Sequence, residues 1–260
     1  MENVSGLETT FNTVYSEYDK WRPTYVKELY DDIFAAKEID ASSNVLEIGI
    51  GTGQATLPFL EKGCALSAIE LGSELAQYVK QKYLDYSRFD VINTAFQDYE
   101  CRPNSFDLVF SATAFHWIPE EIGYPKVYEI LKSGGVFARF ANHPYKDKGR
   151  EALHQAIQKL YSVYMPREAE HNEYSEDDAR KLAETASKYG FVDSTYYLYR
   201  RTRTFTAKEY TCLLGTYSDH IAIEERTRKK FFAEIEGVIN DFGGEITVYD
   251  TLDLQLARKP

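Results

Sequence analysis

The chain has 260 residues, 43% of them hydrophobic, with 30 Lys and Arg against 41 Asp and Glu and a formal net charge of -11. That length can bury a sizeable core, either in one α/β domain with additions or in two small domains. The charge works against nucleic acid or an anionic membrane as partner, because phosphates need a basic face, and no apolar run approaches the roughly 20 residues that cross a bilayer.

The first ten residues are polar and lack the apolar core of a signal peptide, so a cytoplasmic address is expected. Cys64, Cys101 and Cys212 are widely spaced, which argues against a disulfide framework or a structural zinc. His143, His154 and His171 fall into no ligand pattern, so no metal is expected. One local basic patch stands out, from Lys188 toward Arg200, Arg201 and Arg203. The 21 Tyr and 15 Phe either fill a core or wall a substrate pocket, and a count does not choose.

Taken in order, Pro23 suits the first turn of a helix, and Val26, Leu29, Tyr30 and Ile33 follow at helical spacing. Asn44–Ile48 reads as a first buried strand, followed by a helix from Gln54 to about Lys62 that stops at Gly63. Ala65–Ile69 is a second strand ending at Glu70. Ser73 is placed to cap the next helix, which carries Leu75, Tyr78 and Val79. Strands at 89–92 and 106–110 come next, then a helix over about 119–131. Gly134 and Gly135 turn the chain into a strand at 136–140. Strands alternating with helices predict a parallel, doubly wound α/β sheet.

Beyond residue 140 the rhythm changes. Helices are predicted at 151–164 and 176–189, strand-like sequence at 192–205, and a helix near Leu213 and Leu214. A long amphipathic helix follows at about 224–242, and the period-two run Leu252, Leu254, Leu256 marks a closing strand. No linker separates independent halves, so one domain with a helical insertion near 144–190 is the expectation.

The densest signal is Val45-Leu46-Glu47-Ile48-Gly49-Ile50-Gly51-Thr52-Gly53. Strand, tight turn and helix is the layout of a nucleotide-binding loop. A dinucleotide loop wants Gly-x-Gly-x-x-Gly; here the third glycine comes one residue early and Gln54 stands in its place. Gly-x-Gly-x-Gly after Glu47 resembles motif I of the class I S-adenosylmethionine (SAM) methyltransferases. Glu70, 17 residues past Gly53, then resembles the acidic residue that binds the ribose hydroxyls. The segment Ala95–Tyr99 resembles the adenine-lining segment, the run from Phe106 to Trp117 resembles motif IV, and Leu131–Val136 the turn before the fifth strand. Tyr15, Tyr18, Trp21, Arg22 and Pro23 resemble a segment that folds over the cofactor.

The resemblance covers nearly the whole chain and points to the small-molecule branch that includes trans-aconitate-type enzymes. It implies a Rossmann-like sheet of seven strands with an antiparallel last strand and a helical cap. The parts would be a cofactor-covering segment (1–40), a SAM-binding core (41–143), a cap (144–190) and sheet completion (191–260). Tyr18, Arg22, Glu47, Gly49, Gly51, Gly53, Glu70, Leu71, Phe96, Gln97 and Ser111 would contact SAM. Phe115 and Trp117 would contact a small-molecule acceptor, and the protein would act as a monomer or homodimer. Tyr217 and His220 follow the helix near Leu213 and Leu214 and either reach the acceptor pocket from the insertion side or serve the structure.

Each residue also has a plainer reading. Glu47 is either the loop's organiser or a strand-end carboxylate, and Glu70 either a ribose acceptor or an acid favouring a helix N-terminus. Arg22 either pairs with the cofactor carboxylate or forms a surface ion pair, and Ser111 is either near the methionyl group or a bonded strand hydroxyl. His116 follows the fourth strand at the edge where α/β sheets bind ligands. It either takes a proton from a hydroxyl nucleophile or packs beside Phe115 and Trp117. An oxygen acceptor, carboxylate or hydroxyl, is favoured because no stronger base is evident. The alternatives are a SAM-binding protein without catalysis and a dinucleotide-dependent oxidoreductase.

Overall fold

The computed structural model describes residues 15–166 and 172–260; His171 and the polar N-terminal stretch lie outside them. Two short helices, at 15–21 and 218–221, were not expected; otherwise the elements follow the predicted order: α1 (Tyr15–Trp21), α2 (Lys27–Ala36), β1 (Asn44–Ile48), α3 (Leu57–Leu60), β2 (Ala65–Glu70), α4 (Ser73–Lys82), β3 (Phe89–Asn93), β4 (Phe106–Ala112), α5 (Glu120–Ile130) and β5 (Leu131–Tyr145). Then come α6 (Glu151–Tyr164), α7 (Glu176–Ser187), β6 (Val192–Thr206), α8 (Ala207–Leu214), α9 (Ser218–Ile221), α10 (Glu225–Asp241) and β7 (Glu245–Arg258). The seven strands lie in the order β3-β2-β1-β4-β5-β7-β6, and β3 through β5 are parallel. β7 runs antiparallel to β5: Lys259 N donates to Gly135 O, and Ala141 N to the side chain of Asp253.

Contacts divide the chain into two compact units. The first comprises Pro23–Asn142, Tyr174–Tyr199 and Leu252–Pro260. Its strands are apolar on both faces because helices cover both, as parallel sheets require. Val45, Leu66, Leu108, Val136 and Leu254 face α2, α3 and α4, whereas Leu46, Ile69, Val109, Phe137 and Ala257 face α5 and α7.

The second unit holds, among the described residues, 15–22, 143–166, 172–173 and 200–251. Its core is a helical cluster in which Leu153 and Ile157 of α6 meet Phe231, Ile235 and Ile239 of α10. The arginines of the sequence's basic patch are largely consumed here: Arg201 and Arg203 both pair with the buried Asp250.

Several boundaries differ from the sequence reading. No helix starts at Gln54; residues 51–56 are turns and α3 is a single turn. Pro58 has no amide to donate to the Gln54 carbonyl, so the helix can begin only next to it. Ser73 is the first helical residue rather than the cap, which falls on Gly72. β5 begins at Leu131, five residues before the predicted Val136, with an irregular register opposite Phe106 and Leu108. The stretch 144–190 does not stay together: α6 belongs to the second unit and α7 to the first. α8 carries a capping box, Thr206 with Glu209, a pattern readable in the sequence that fixes its start.

Candidate active site

The C-terminal edge of β1 and β2 carries the glycine loop. Gly49 N and Ile50 N both donate to Ile69 O (2.9 and 3.2 Å), and Gly53 N closes a turn on Ile50 O (2.9 Å). From behind, Lys82 Nζ holds Thr52 O (2.9 Å) and the Tyr83 hydroxyl holds Gly53 O (2.8 Å). A side chain at Gly53 would stand 2.7 Å from the Tyr83 ring, and one at Gly49 would stand 2.5 Å from Ala114 Cβ. Gly51 differs: its φ is +58°, yet a Cβ there would meet nothing within 4 Å. That open side is where backbone can approach a ligand closely.

Glu70 ends β2 and is 7% exposed. Its Oε2 accepts from Gly51 N (2.9 Å) and its Oε1 from Gly72 N (2.8 Å). Each oxygen so keeps a further lone pair, and together they can accept from two vicinal hydroxyls. Burial raises the carboxyl above its usual range, while the amides of Gly72 and Gly51 oppose the shift. Leu71 beside it is 44% exposed. Asn93 Nδ2 fixes this corner by donating to the carbonyls of Glu70 and Leu71 (2.8 and 2.9 Å). Phe96 is buried, Gln97 is exposed, and Lys126 binds Gln97 O (2.8 Å) across the Phe96 ring.

Glu47 is fully buried and accepts from the Thr56 hydroxyl (2.7 Å). Burial pushes its carboxyl up to about 8, against the Thr56 hydrogen bond and with help from the charge of Glu70. A raised pKa means that the folded protein holds a proton that the unfolded chain has released. Stability is then full below the ordinary carboxylate range and falls as pH rises toward 8. We expect Glu47→Gln, which still accepts from Thr56, to flatten that loss. Melting temperatures at pH 5 and pH 8.5 test this, and identical slopes for variant and wild type would remove the assignment.

Ser111 is fully buried and donates to Ile48 O (2.8 Å), so its hydroxyl is spent on joining β4 to β1. The chain then turns sharply at Thr113, whose φ is +54°. Thr113 is fixed by its amide on Phe140 O (2.8 Å) and its hydroxyl on Tyr25 (2.6 Å). A 3-10 turn, Phe115–Trp117, follows. Phe115 is buried against Tyr124 and Phe137, which orients the turn so that His116 and Trp117 are exposed. Their rings lie 4.8 Å apart.

The other predicted residues cluster in the second unit. The Arg22 guanidinium lies between the rings of Tyr18 (4.9 Å) and Tyr217 (4.1 Å), and its Nε and Nη2 donate to Thr216. His220 is 4% exposed, with Nδ1 against Asp219 (2.6 Å) and Nε2 against the Tyr161 hydroxyl (2.8 Å). Its ring stacks on Phe231. Both ring nitrogens are therefore engaged inside this unit. Among the described residues no three His, Cys, Asp or Glu side chains are grouped to hold a metal.

Thr113 and Tyr25 carry no sequence signal for their pairing. Gly72 did carry one, as a small residue between an acidic strand end and a helix.

Residues 45–135 match the methyltransferase domain family. An uncharacterized methyltransferase of Bacillus cereus is 31% identical over 186 residues, which cover 62% of this chain and 85% of the relative. A methyltransferase-like protein of Schizosaccharomyces pombe is 25% identical over 236 residues, covering 88% and 85%. Among solved structures, a putative type II methyltransferase from Anaeromyxobacter dehalogenans superposes with a TM-score of 0.64 at 19% identity, covering 91% of this chain and 97% of that one. The chain belongs to the class I SAM-dependent methyltransferases. SAM is accordingly the cofactor, and the open side of Gly51 with the unspent lone pairs of Glu70 fits its adenosyl portion.

Proposed function

We propose that this chain transfers the methyl group of SAM to an oxygen, carboxylate or hydroxyl, of a small-molecule acceptor, within the branch that includes trans-aconitate-type enzymes. The observation that carries this reading is the abutment of two segments at one sheet edge. Gly49 of the cofactor loop meets Ala114 closely enough to exclude a side chain, two residues before the exposed His116 and Trp117. The acceptor-facing turn is thereby tied to the cofactor loop. A small acceptor accords with the net charge of -11 and with the pairing of Arg201 and Arg203 to Asp250. A neighbour of the same fold, a phosphoethanolamine N-methyltransferase of Haemonchus contortus, was solved with phosphomonomethylethanolamine and S-adenosylhomocysteine. No helix among the described residues is long and apolar enough to cross a membrane, and we place the protein in the cytoplasm.

SAM supplies an activated methyl group on a sulfonium. The chain's own residues bind, orient and exclude water. Glu70 and the open backbone side of Gly51 would hold the cofactor, with Leu71, Phe96 and Gln97 on the adenine side. Such positioning is worth roughly 7–11 kcal/mol of barrier. Trp117 contacts the acceptor, with Phe115 orienting the turn that carries it, and His116 takes the proton from a hydroxyl acceptor. A carboxylate acceptor is ionised at neutral pH and needs no base.

His116→Ala is expected to lower turnover about tenfold, less than a sequestered base would, because an exposed site lets water take the proton. SAM affinity should stay within about twofold. Equal turnover in both proteins removes His116 from the chemistry. Isothermal titration with SAM, S-adenosylhomocysteine and NAD tests the cofactor, and binding of NAD alone would overturn the reading.

A further inference from the structure

One row of residues crosses the sheet of the first unit at the level of the cofactor loop. Ile69 stands opposite Ile48, the Ser111 hydroxyl binds Ile48 O, and Ser111 stands opposite Arg139. Counting along β7 from the Gly135–Lys259 hydrogen bond puts Gln255 opposite Arg139 and Asp253 opposite Ala141, and Ala141 N does donate to Asp253 Oδ1 (3.1 Å). Arg139, Gln255 and Asp253 share the face of Phe137 and Ala257, since side chains alternate along a strand. At about 4.8 Å per strand, Arg139 is roughly 10 Å across the sheet from Ile48.

Two features of this row are unspent. Gln255 is 6% exposed, and its Oε1 is the buried side-chain atom left without a hydrogen-bond partner among the described residues. Flipping the amide does not help, because the Nε2 end donates to Asp253 Oδ2 and an oxygen there would face a carboxylate. An unpaired buried acceptor costs about 1–3 kcal/mol. Arg139 is half-buried, with Nη1 donating to the Tyr124 hydroxyl (3.1 Å) and its guanidinium over the Phe115 ring (5.5 Å). It forms no ion pair among the described residues, and its Nε and Nη2 have no hydrogen-bond partner there. The neighbouring Tyr174 donates to Asp253 Oδ2 (3.1 Å), and the charge of Arg139 opposes the rise of its phenol. These are polar groups on an otherwise apolar sheet face beside the buried Asp253: a guanidinium with donors to spare and a carbonyl oxygen without a donor.

We propose that Arg139 and Gln255, framed by Tyr124 and Tyr174, form the acceptor-recognition subsite and that the acceptor is anchored there through a carboxylate. This deepens the methyl-transfer reading and rests on it. Arg139 supplies the planar donor edge that a carboxylate matches, and Gln255 Oε1 accepts from a hydroxyl or N–H of the same molecule. A carboxylate clamped by a guanidinium has its lone pairs engaged. The methylated oxygen is therefore a second group on the acceptor.

Isothermal titration of the protein saturated with S-adenosylhomocysteine tests this. The probes are 4-hydroxybenzoate and trans-aconitate, beside their uncharged counterparts 4-hydroxybenzamide and trimethyl trans-aconitate. At least one acid should bind with a Kd below about 1 mM, and its counterpart at least about 20-fold more weakly. Arg139→Gln should lose about 20-fold for that acid with S-adenosylhomocysteine affinity unchanged. Gln255→Leu, which removes the orphan oxygen without a charge change, should lose about fivefold. Acids that bind no better than their counterparts, or that bind Arg139→Gln undiminished, overturn the subsite. Unaltered binding in Gln255→Leu overturns the part given to Gln255. Failure of S-adenosylhomocysteine itself to bind would instead sink the methyl-transfer reading, and the same acid titrations on the protein alone would still judge the carboxylate site.

Discussion

Glu70→Ala should weaken SAM binding about 100-fold, roughly 2.7 kcal/mol, while leaving a folded protein. The size follows from what the carboxylate holds. It would accept from two ribose hydroxyls, and hydrogen bonds to charged groups are each worth about 1.5–3 kcal/mol. It also accepts from the amides of Gly51 and Gly72, which sets the glycine loop against the start of α4. Alanine removes the ligand contact and loosens both amides at once. The fold should survive because Glu70 is at the strand end and belongs to neither apolar cluster of the sheet. Calorimetric titration with circular dichroism as the fold control decides it, and unchanged affinity in a folded variant would sink the ribose assignment.

Gly49→Ala should act on stability instead. At φ +72° an alanine sits in the left-handed region, costing about 1–2 kcal/mol. Its Cβ would also stand 2.5 Å from Ala114 Cβ, an overlap that only a backbone shift relieves, at a further 1–3 kcal/mol or so. The sum of roughly 2–5 kcal/mol corresponds to a melting temperature lower by about 5–15 °C. Gly51→Ala is the matched control, because it carries the same backbone strain with open space around the new methyl group. It should melt nearer to wild type yet lose cofactor affinity, since the methyl group would fill the open side proposed for SAM. A Gly49→Ala protein as stable as Gly51→Ala would show that the contact with Ala114 is not rigid.

Much of this was legible from residue order. The strand Asn44–Ile48 and the helix Glu151–Tyr164 begin and end where their apolar patterns say, because both are long or fully buried stretches with clean periodicity. The helix expected from Gln54 starts only at Leu57, because Pro58 has no amide to donate to the Gln54 carbonyl and suits a first helical turn. Gly49, Gly51, Gly53 and Glu70 were singled out because the chemistry expected of them depends on spacing along the chain, and the structure brings them to one sheet edge. Ser111, Phe115 and His220 were chosen by position alone, and position does not say which way a side chain faces. All three are buried, with Ser111 and His220 hydrogen-bonded inside and Phe115 packed among aromatic rings.

The sequence by itself determined the α/β alternation, the glycine loop that follows β1, and the acid that ends β2. These are local: a glycine's freedom and a strand's two apolar faces are properties of neighbouring residues. Only the tertiary structure decided what stands beside the loop. Ala114 against Gly49, Tyr25 against Thr113, and Arg139 opposite Gln255 join segments that share no pattern in sequence. The Ala141–Asp253 contact that sets the last of these pairings links residues 112 positions apart. Period-two alternation tells which face a residue takes but not which strand will be its neighbour, because strand order depends on how the crossovers close over both faces of the sheet.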